Sequence, residues 1–212
     1  MKELGENFSK SGIEVHGFSS LDNVFWNLNQ EDIYKIILDR GEGKVSKDGA
    51  MVVKTGIHTG RSAQDKFVVK ESKNKDSIWW DNAKEMSEEN FDQLYRDMID
   101  FSENKDLFVQ DLFGGADLEY RLPTRVYTEY AWHSLFIQNL LITVKEEEKS
   151  DFDPEFIIID MPSFKANPER HGSRSETIIA VNFDKKIVLI AGTSYAGEIK
   201  KSVFTMLNFL LP

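Results

Sequence analysis

The alternation of apolar and polar positions divides the chain into four amphipathic helices and a larger number of short strands. Residues 31–39 (EDIYKIILD) put Ile33, Ile36 and Ile37 on one face, with Asn29 placed to cap the helix. Residues 88–101 carry Phe91, Leu94, Tyr95, Met98 and Phe101 at helical spacing behind a capping Ser87. A third helix is predicted over 129–142, with Trp132, Leu135, Phe136, Asn139 and Leu140 on its face. The last begins near Glu198 and presents Val203, Phe204, Leu207 and Leu210 before Pro212. Between them, residues 51–54, 66–70, 107–111, 156–160, 177–182 and 187–193 are β-branched or aromatic runs that predict strands. Residues 183–186 read as a hairpin loop joining the last two.

The run Phe156, Ile157, Ile158, Ile159 has no polar alternation, which suits a strand buried on both faces. Helices interleaved with strands, together with one hairpin, predict an α/β fold: a mixed β-sheet flanked by helices. The charged stretches 71–76 and 145–153 read as solvated loops. No internal repeat is present, and 212 residues suit one substantial core, so residues 1–212 are expected to form a single domain.

Charge and composition narrow the function. A formal charge of −10 lacks the basic footprint of a nucleic-acid or membrane-surface binder. No apolar run reaches the ~20 residues of a bilayer span, and the polar first residues show no secretory signal. With no cysteine there is neither a disulfide framework nor a thiolate nucleophile or metal ligand, which fits a cytoplasmic protein.

Two Gly-rich turns carry the candidate chemistry. Residues 55–66 (TGIHTGRSAQDK) combine small residues, whose backbone N–H groups can approach an oxyanion, with Arg61, a planar fork suited to carboxylate or phosphate. A plain loop whose Arg pairs with a surface Asp has the same spacing. Residues 192–202 (GTSYAGEIKKS) lead from a strand through a Gly-rich turn into a helix, an anion-friendly arrangement. Lys200 and Lys201 then oppose the helix dipole at a cost of roughly a few tenths of a kcal/mol. An anion or a metal offsets that repulsion, and crowding favours a neutral amine able to ligate a metal; two solvated lysines with Glu198 satisfying the dipole remain the other reading. Arg170, His171 and Arg174 surround a Gly-Ser turn and read as surface loop. Asp111, Asp117, Glu119 and Glu129 are too scattered for an acid–base pair, Trp132 and His133 are expected to pack, and His58 lies inside the Arg61 loop. No GxxxxGK[ST] phosphate loop is present.

The stretches TGIHTGRSAQDKFVV, LFVQDLFGGADLEYRLPTRVYTEYAWHSLFIQNLLI and SETIIAVNFDKKIVLIAGTSYAGEIKKSVFTMLNFLLP resemble, in order and spacing, the amino-terminal domain of ATP-dependent phosphoenolpyruvate carboxykinases. The resemblance implies conversion of oxaloacetate and ATP to phosphoenolpyruvate, CO2 and ADP, a gluconeogenic reaction using Mn2+ and Mg2+. It implies Arg61 as the carboxylate grip, Tyr195 as a second substrate contact, Lys201 as an Mn2+ ligand and the one candidate nucleotide contact, and Lys200 lining the pocket. Where the family reads SPKDK, Ala63 and Gln64 replace Pro and Lys, removing a rigid turn residue and one charge. The phosphate loop, the remaining metal ligands and the adenine site are expected beyond this chain, in a C-terminal nucleotide-binding domain, so the chain alone is expected to be inactive. The alternative is a stand-alone carboxylate-binding or regulatory module, which a stop codon rather than a phosphate loop downstream would indicate.

Overall fold

The computed structural model describes residues 1–72 and 74–211; Lys73, in the first charged stretch, and Pro212, expected to end the last helix, lie outside them. In chain order the strands and α-helices are β1 (Lys2–Gly5), β2 (Asn23–Trp26), α1 (Gln30–Asp39), β3 (Gly43–Val45), β4 (Met51–Val53), β5 (Lys66–Val69), β6 (Lys84–Met86), α2 (Glu88–Phe101), β7 (Leu107–Gly114), β8 (Leu122–Thr128), α3 (Ala131–Gln138), β9 (Ile142–Thr143), β10 (Phe156–Met161), α4 (Pro168–His171), β11 (Ile178–Asn182), β12 (Ile187–Ala191) and α5 (Gly197–Leu210). Ten strands form one sheet in the order β1-β2-β7-β8-β10-β12-β11-β5-β6, with β9 added beside β7. Two neighbouring pairs on this path run antiparallel, β7 with β8 and β11 with β12; the others are parallel. The sheet is therefore mixed and helix-flanked, as the alternation predicts.

Strand periodicity sorts the side chains into two cores. Phe67, Val69, Tyr127, Ile157, Ile159, Ala180 and Leu189 face α2, which contributes Phe91, Leu94 and Met98. Val68, Val126, Ile158, Ile179, Val181, Val188 and Ile190 face α5 and its Ile199, Val203 and Met206. Every residue of β10 is buried, because parallel neighbours flank it and helices cover both faces. Helix α1 packs beside α3 around Ile33, Ile37, Phe108 and Leu135.

Both predicted caps are present: Asn29 accepts from the Asp32 amide and Ser87 from the Asn90 amide. Four expectations shift. Helix α3 is shorter than predicted, because Tyr130 is extended (φ −102°, ψ 135°) and the chain leaves the helix after Gln138, exposing Leu140. Helix α5 buries Ile199, Ser202, Val203 and Met206, whereas Phe204 is 59% exposed and Leu210 37% exposed; the apolar stripe is one position off the buried one. Residues 51–53 pair with β3 in a separate ribbon rather than joining the main sheet. The charged stretch at 145–153 contains a 3-10 helix, Glu146–Asp151.

The largest departure from the apolar pattern lies at the sheet centre. Arg125 on β8 is completely buried and donates from Nε and Nη2 to the two oxygens of Asp111, at 2.6 and 2.9 Å. Its other bonds reach Ser11 O (2.8 Å) and Asn7 Oδ1 (2.7 Å), and its guanidinium lies over the Trp26 ring. A buried pair this well satisfied tolerates its desolvation, whereas a half-pair does not. Arg125→Met should therefore destabilise the chain by about 3–5 kcal/mol in urea unfolding, and adding Asp111→Leu should recover most of that loss.

His16 packs edge-on against Tyr127. Burial, and then the charge of Arg125, push its imidazole down to about 4. The unfolded chain takes up this proton near pH 6.5 and the fold does not, so stability is lost as pH falls from about 6.5 to about 4. With solvent screening at its exposed edge the loss should be about 1–2 kcal/mol. Chemical denaturation across that window should show it, and His16→Gln should flatten the slope.

Candidate functional site

The antiparallel turn between β11 and β12 brings two distant segments to one rim. Strand β12 runs out at Ala191 beside the first residue of β11, Ile178. Strand β5 runs parallel to β11 and therefore starts at the same rim, with Lys66 level with Ile179. The loop before β5, which carries Arg61, thus meets the loop after β12, which carries Tyr195.

Three sets of contacts pin the Arg61 loop. The Ser62 amide donates to Glu198 Oε1 of α5 at 2.7 Å. His58 lies between Ser62 Oγ (3.4 Å) and Thr177 Oγ1 (3.0 Å); since Thr177 donates its own proton to Gly192 O, His58 Nε2 is the donor to Thr177. Asp65, buried, accepts two bonds from Arg174, both at 3.0 Å, and one from Ser175 Oγ at 2.9 Å. Arg174, expected as plain surface loop, is thus a loop anchor. Ser62 and Asp65 are buried while Arg61 between β4 and β5 is exposed, so the backbone is fixed and the guanidinium is free to meet a ligand.

The second loop has its own constraints. Gly192 sits at φ +71°, and a Cβ there would lie 2.2 Å from the Glu176 carbonyl oxygen, so only glycine fits. Tyr195 is half-buried with its ring against Gly197, where a Cβ would come within 2.4 Å of Cε1. Its carbonyl accepts from the Glu198 amide, placing it one turn ahead of the carboxylate that holds Ser62.

The paired lysines fall slightly later than expected. Helix α5 starts at Gly197 behind Ala196, so Lys200 and Lys201 are its fourth and fifth residues, and Glu198, the acidic residue of the first turn, is turned to Ser62. Lys200 is exposed; Lys201 is half-buried with Nζ 5.1 Å from the centre of the Phe204 ring. The amine most affected by crowding is Lys66. It donates to Thr205 Oγ1 at 2.7 Å, and burial, then the charges of Arg61 and Lys201, hold its ammonium below the ordinary lysine range against the pull of Glu198. Arg61 and Lys66 share a cleft of about 610 Å³ with Lys84 and Asp81. The structure therefore brings Arg61, Lys66, Glu198 and Lys201 into one electrostatic cluster. The alternation does carry a signal for Lys66, since it lies two residues before Val68 and so on the face that meets α5.

Other candidates separate from this cluster. Asp111 is taken up by Arg125. Glu129 accepts from Ser163 N (2.9 Å) and Ser163 Oγ. His171 accepts from Asn167 N at 2.9 Å, so its Nε2 donates to Asp97, which Arg170 also contacts; this trio ties α4 to α2. Among the described residues, no group of three or more His, Asp or Glu side chains is arranged to hold a metal ion. The amine of Lys201 can ligate a divalent cation only when neutral and only as one donor of several, so the residues present fit one corner of a metal shell.

Comparison with known proteins finds close relatives of the sequence. The chain is 58% identical over all 212 residues to the phosphoenolpyruvate carboxykinase (ATP) of Parvibaculum lavamentivorans. It is 54% identical to that of Sinorhizobium fredii and 53% identical to that of Methylobacterium sp. strain 4-46, again over its whole length. In each case the match spans 40% of the relative's length, in keeping with the resemblance to one domain of a longer enzyme. The family profile described as phosphoenolpyruvate carboxykinase matches residues 22–212. On that match and these identities, the chain belongs to the phosphoenolpyruvate carboxykinase family.

Proposed function

We propose that residues 1–212 form the substrate-side domain of an ATP-dependent phosphoenolpyruvate carboxykinase, the other face of its cleft being supplied by the part of the relatives that this chain does not span. The observation that carries the reading is the Ser62–Glu198 bond, which couples the Arg61 loop to the start of the lysine-bearing helix. The reaction is oxaloacetate + ATP → phosphoenolpyruvate + CO2 + ADP. It develops negative charge on an enolate oxygen as the C–C bond to the departing carboxylate breaks, and that oxygen then attacks the γ-phosphoryl group.

Each residue has a role in this scheme. Arg61 grips a substrate carboxylate through its planar fork, and Tyr195, fixed against Gly197, orients the substrate from the neighbouring loop. Lys200 and Lys201 add positive charge on the helix above the enolate. Lys66, unassigned by the resemblance, raises the positive potential of the same cleft. Lys201 is the residue here that would help to hold Mn2+ and the one candidate contact to nucleotide, the remaining ligands being expected in the nucleotide-binding domain. The divalent ions, Mn2+ and Mg2+, would supply Lewis-acid stabilisation of the enolate and of the ATP phosphates. The resemblance supports a cytoplasmic, gluconeogenic role for the whole enzyme. No described helix is long and apolar enough to cross a membrane.

Two measurements test the reading. The purified chain should form no detectable phosphoenolpyruvate from oxaloacetate and ATP; turnover would overturn the assignment of half a cleft. Phosphoenolpyruvate or oxalate titrated into the chain by NMR should bind in the ~mM range, about −4 kcal/mol. Arg61→Ala should abolish that binding; retained affinity in the variant would remove Arg61 from the substrate grip.

A further inference from the structure

His133, expected only to pack, sits at the sheet rim with both ring nitrogens engaged. Nδ1 lies 2.6 Å from Asp160 Oδ2 on β10, and Nε2 lies 3.0 Å from the carbonyl oxygen of Ser194. Both side chains are 1% exposed. The groups packed around them are the Trp132 ring (4.0 Å between centroids), the Tyr130 ring (5.5 Å) and the Glu129 carboxylate, which acts on Asp160 electrostatically.

A carbonyl oxygen only accepts, so the bond to Ser194 requires a proton on Nε2. That leaves one shared proton between Nδ1 and Oδ2. It sits either on an imidazolium facing a carboxylate or on a neutral acid facing a neutral ring, and in both cases Nε2 remains a donor. Burial pushes the Asp160 carboxyl up, and its other oxygen, Oδ1, is buried without a hydrogen-bond partner. A ring that merely filled space would have no need of a buried acid behind it.

We infer that Asp160 and His133 form a positioning pair: Asp160 engages Nδ1 and so fixes the orientation of the ring, and His133 Nε2–H holds the Ser194 carbonyl and with it the Tyr195 turn. The pair acts through the backbone and touches no substrate. It gives Tyr195 a fixed place on the rim independently of Arg61, whose loop is held by Glu198, His58 and Asp65. The importance of the pair to turnover rests on the reading of Tyr195 as a substrate contact; the positioning itself is tested without any ligand.

The two amide substitutions at residue 133 separate the roles. Glutamine reaches the place of Nε2 and can still donate to Ser194, whereas asparagine reaches only the place of Nδ1. In the chain as it stands, amide hydrogen exchange at Tyr195 and Ala196 should stay within about twofold of the parent in His133→Gln and rise about tenfold or more in His133→Asn. Long-range 15N spectra of the parent should show Nε2 protonated from pH 5 to 9. Equal exchange in the two variants would overturn the inference, and so would an unprotonated Nε2 in the parent at pH 7, a result available even if a variant fails to fold. Loss of oxalate binding in Arg61→Ala tests the substrate site separately, so the two readings fail by different measurements.

Discussion

Everything at the candidate site depends on one reversal of strand direction. Because β11 and β12 run antiparallel while β5 follows β11, the start of β5 and the end of β12 share a rim. In a purely parallel sheet the Arg61 loop would open at the opposite end from the turn that carries Tyr195. The four-residue hairpin loop at 183–186 thus does more for the site than any single contact within it. In α/β sheets ligands gather at the carboxyl ends of strands; here one reversed pair adds amino ends to the same place.

Local contacts then make the rim rigid. The loop before β5 is fixed by Glu198 of α5 and by Arg174, Ser175 and Thr177 of the segment leading into β11, and none of those bonds involves the Arg61 side chain. Glu198 contributes twice, by accepting from Ser62 and by opposing the mutual repulsion of Lys66, Arg61 and Lys201. A carboxylate in the first turn of a helix is ordinarily read as a dipole partner. In this fold it is better described as the hinge pin between two cationic loops.

Much of the fold could be read from the sequence where burial was one-sided or complete. The caps Asn29 and Ser87, the buried run at 156–159 and the hairpin at 183–186 all follow local rules. Strand β8 escaped because Pro123 and Arg125 break its apolar alternation, and it takes Asp111, fourteen residues away on β7, with Asn7 and Ser11 more than a hundred residues away, to make a buried arginine acceptable. Strand β4 was visible as a strand but its partner was not, since nothing local tells a ribbon from a sheet. Of the proposed site, Arg61, Tyr195 and Lys201 are named through the resemblance. Asp65 and Asp160 were hidden because their significance lies in contacts across 109 and 27 residues of chain, and the strand alternation that puts Lys66 on the α5 face does not reveal its partner Thr205, 139 residues away.

The sheet order has a consequence for biosynthesis. Strands β7, β8, β10, β12 and β11, the middle of the sheet, come from residues 107–191, while both wings, β1-β2 and β5-β6, come from the first 86 residues. A ribosome delivering roughly 5–20 residues per second therefore releases the wings several seconds before the centre exists to receive them. Their apolar faces, including Phe67, Val69 and Trp26, must wait in the open or on a chaperone. The nascent chain builds its edges first and its keystone last.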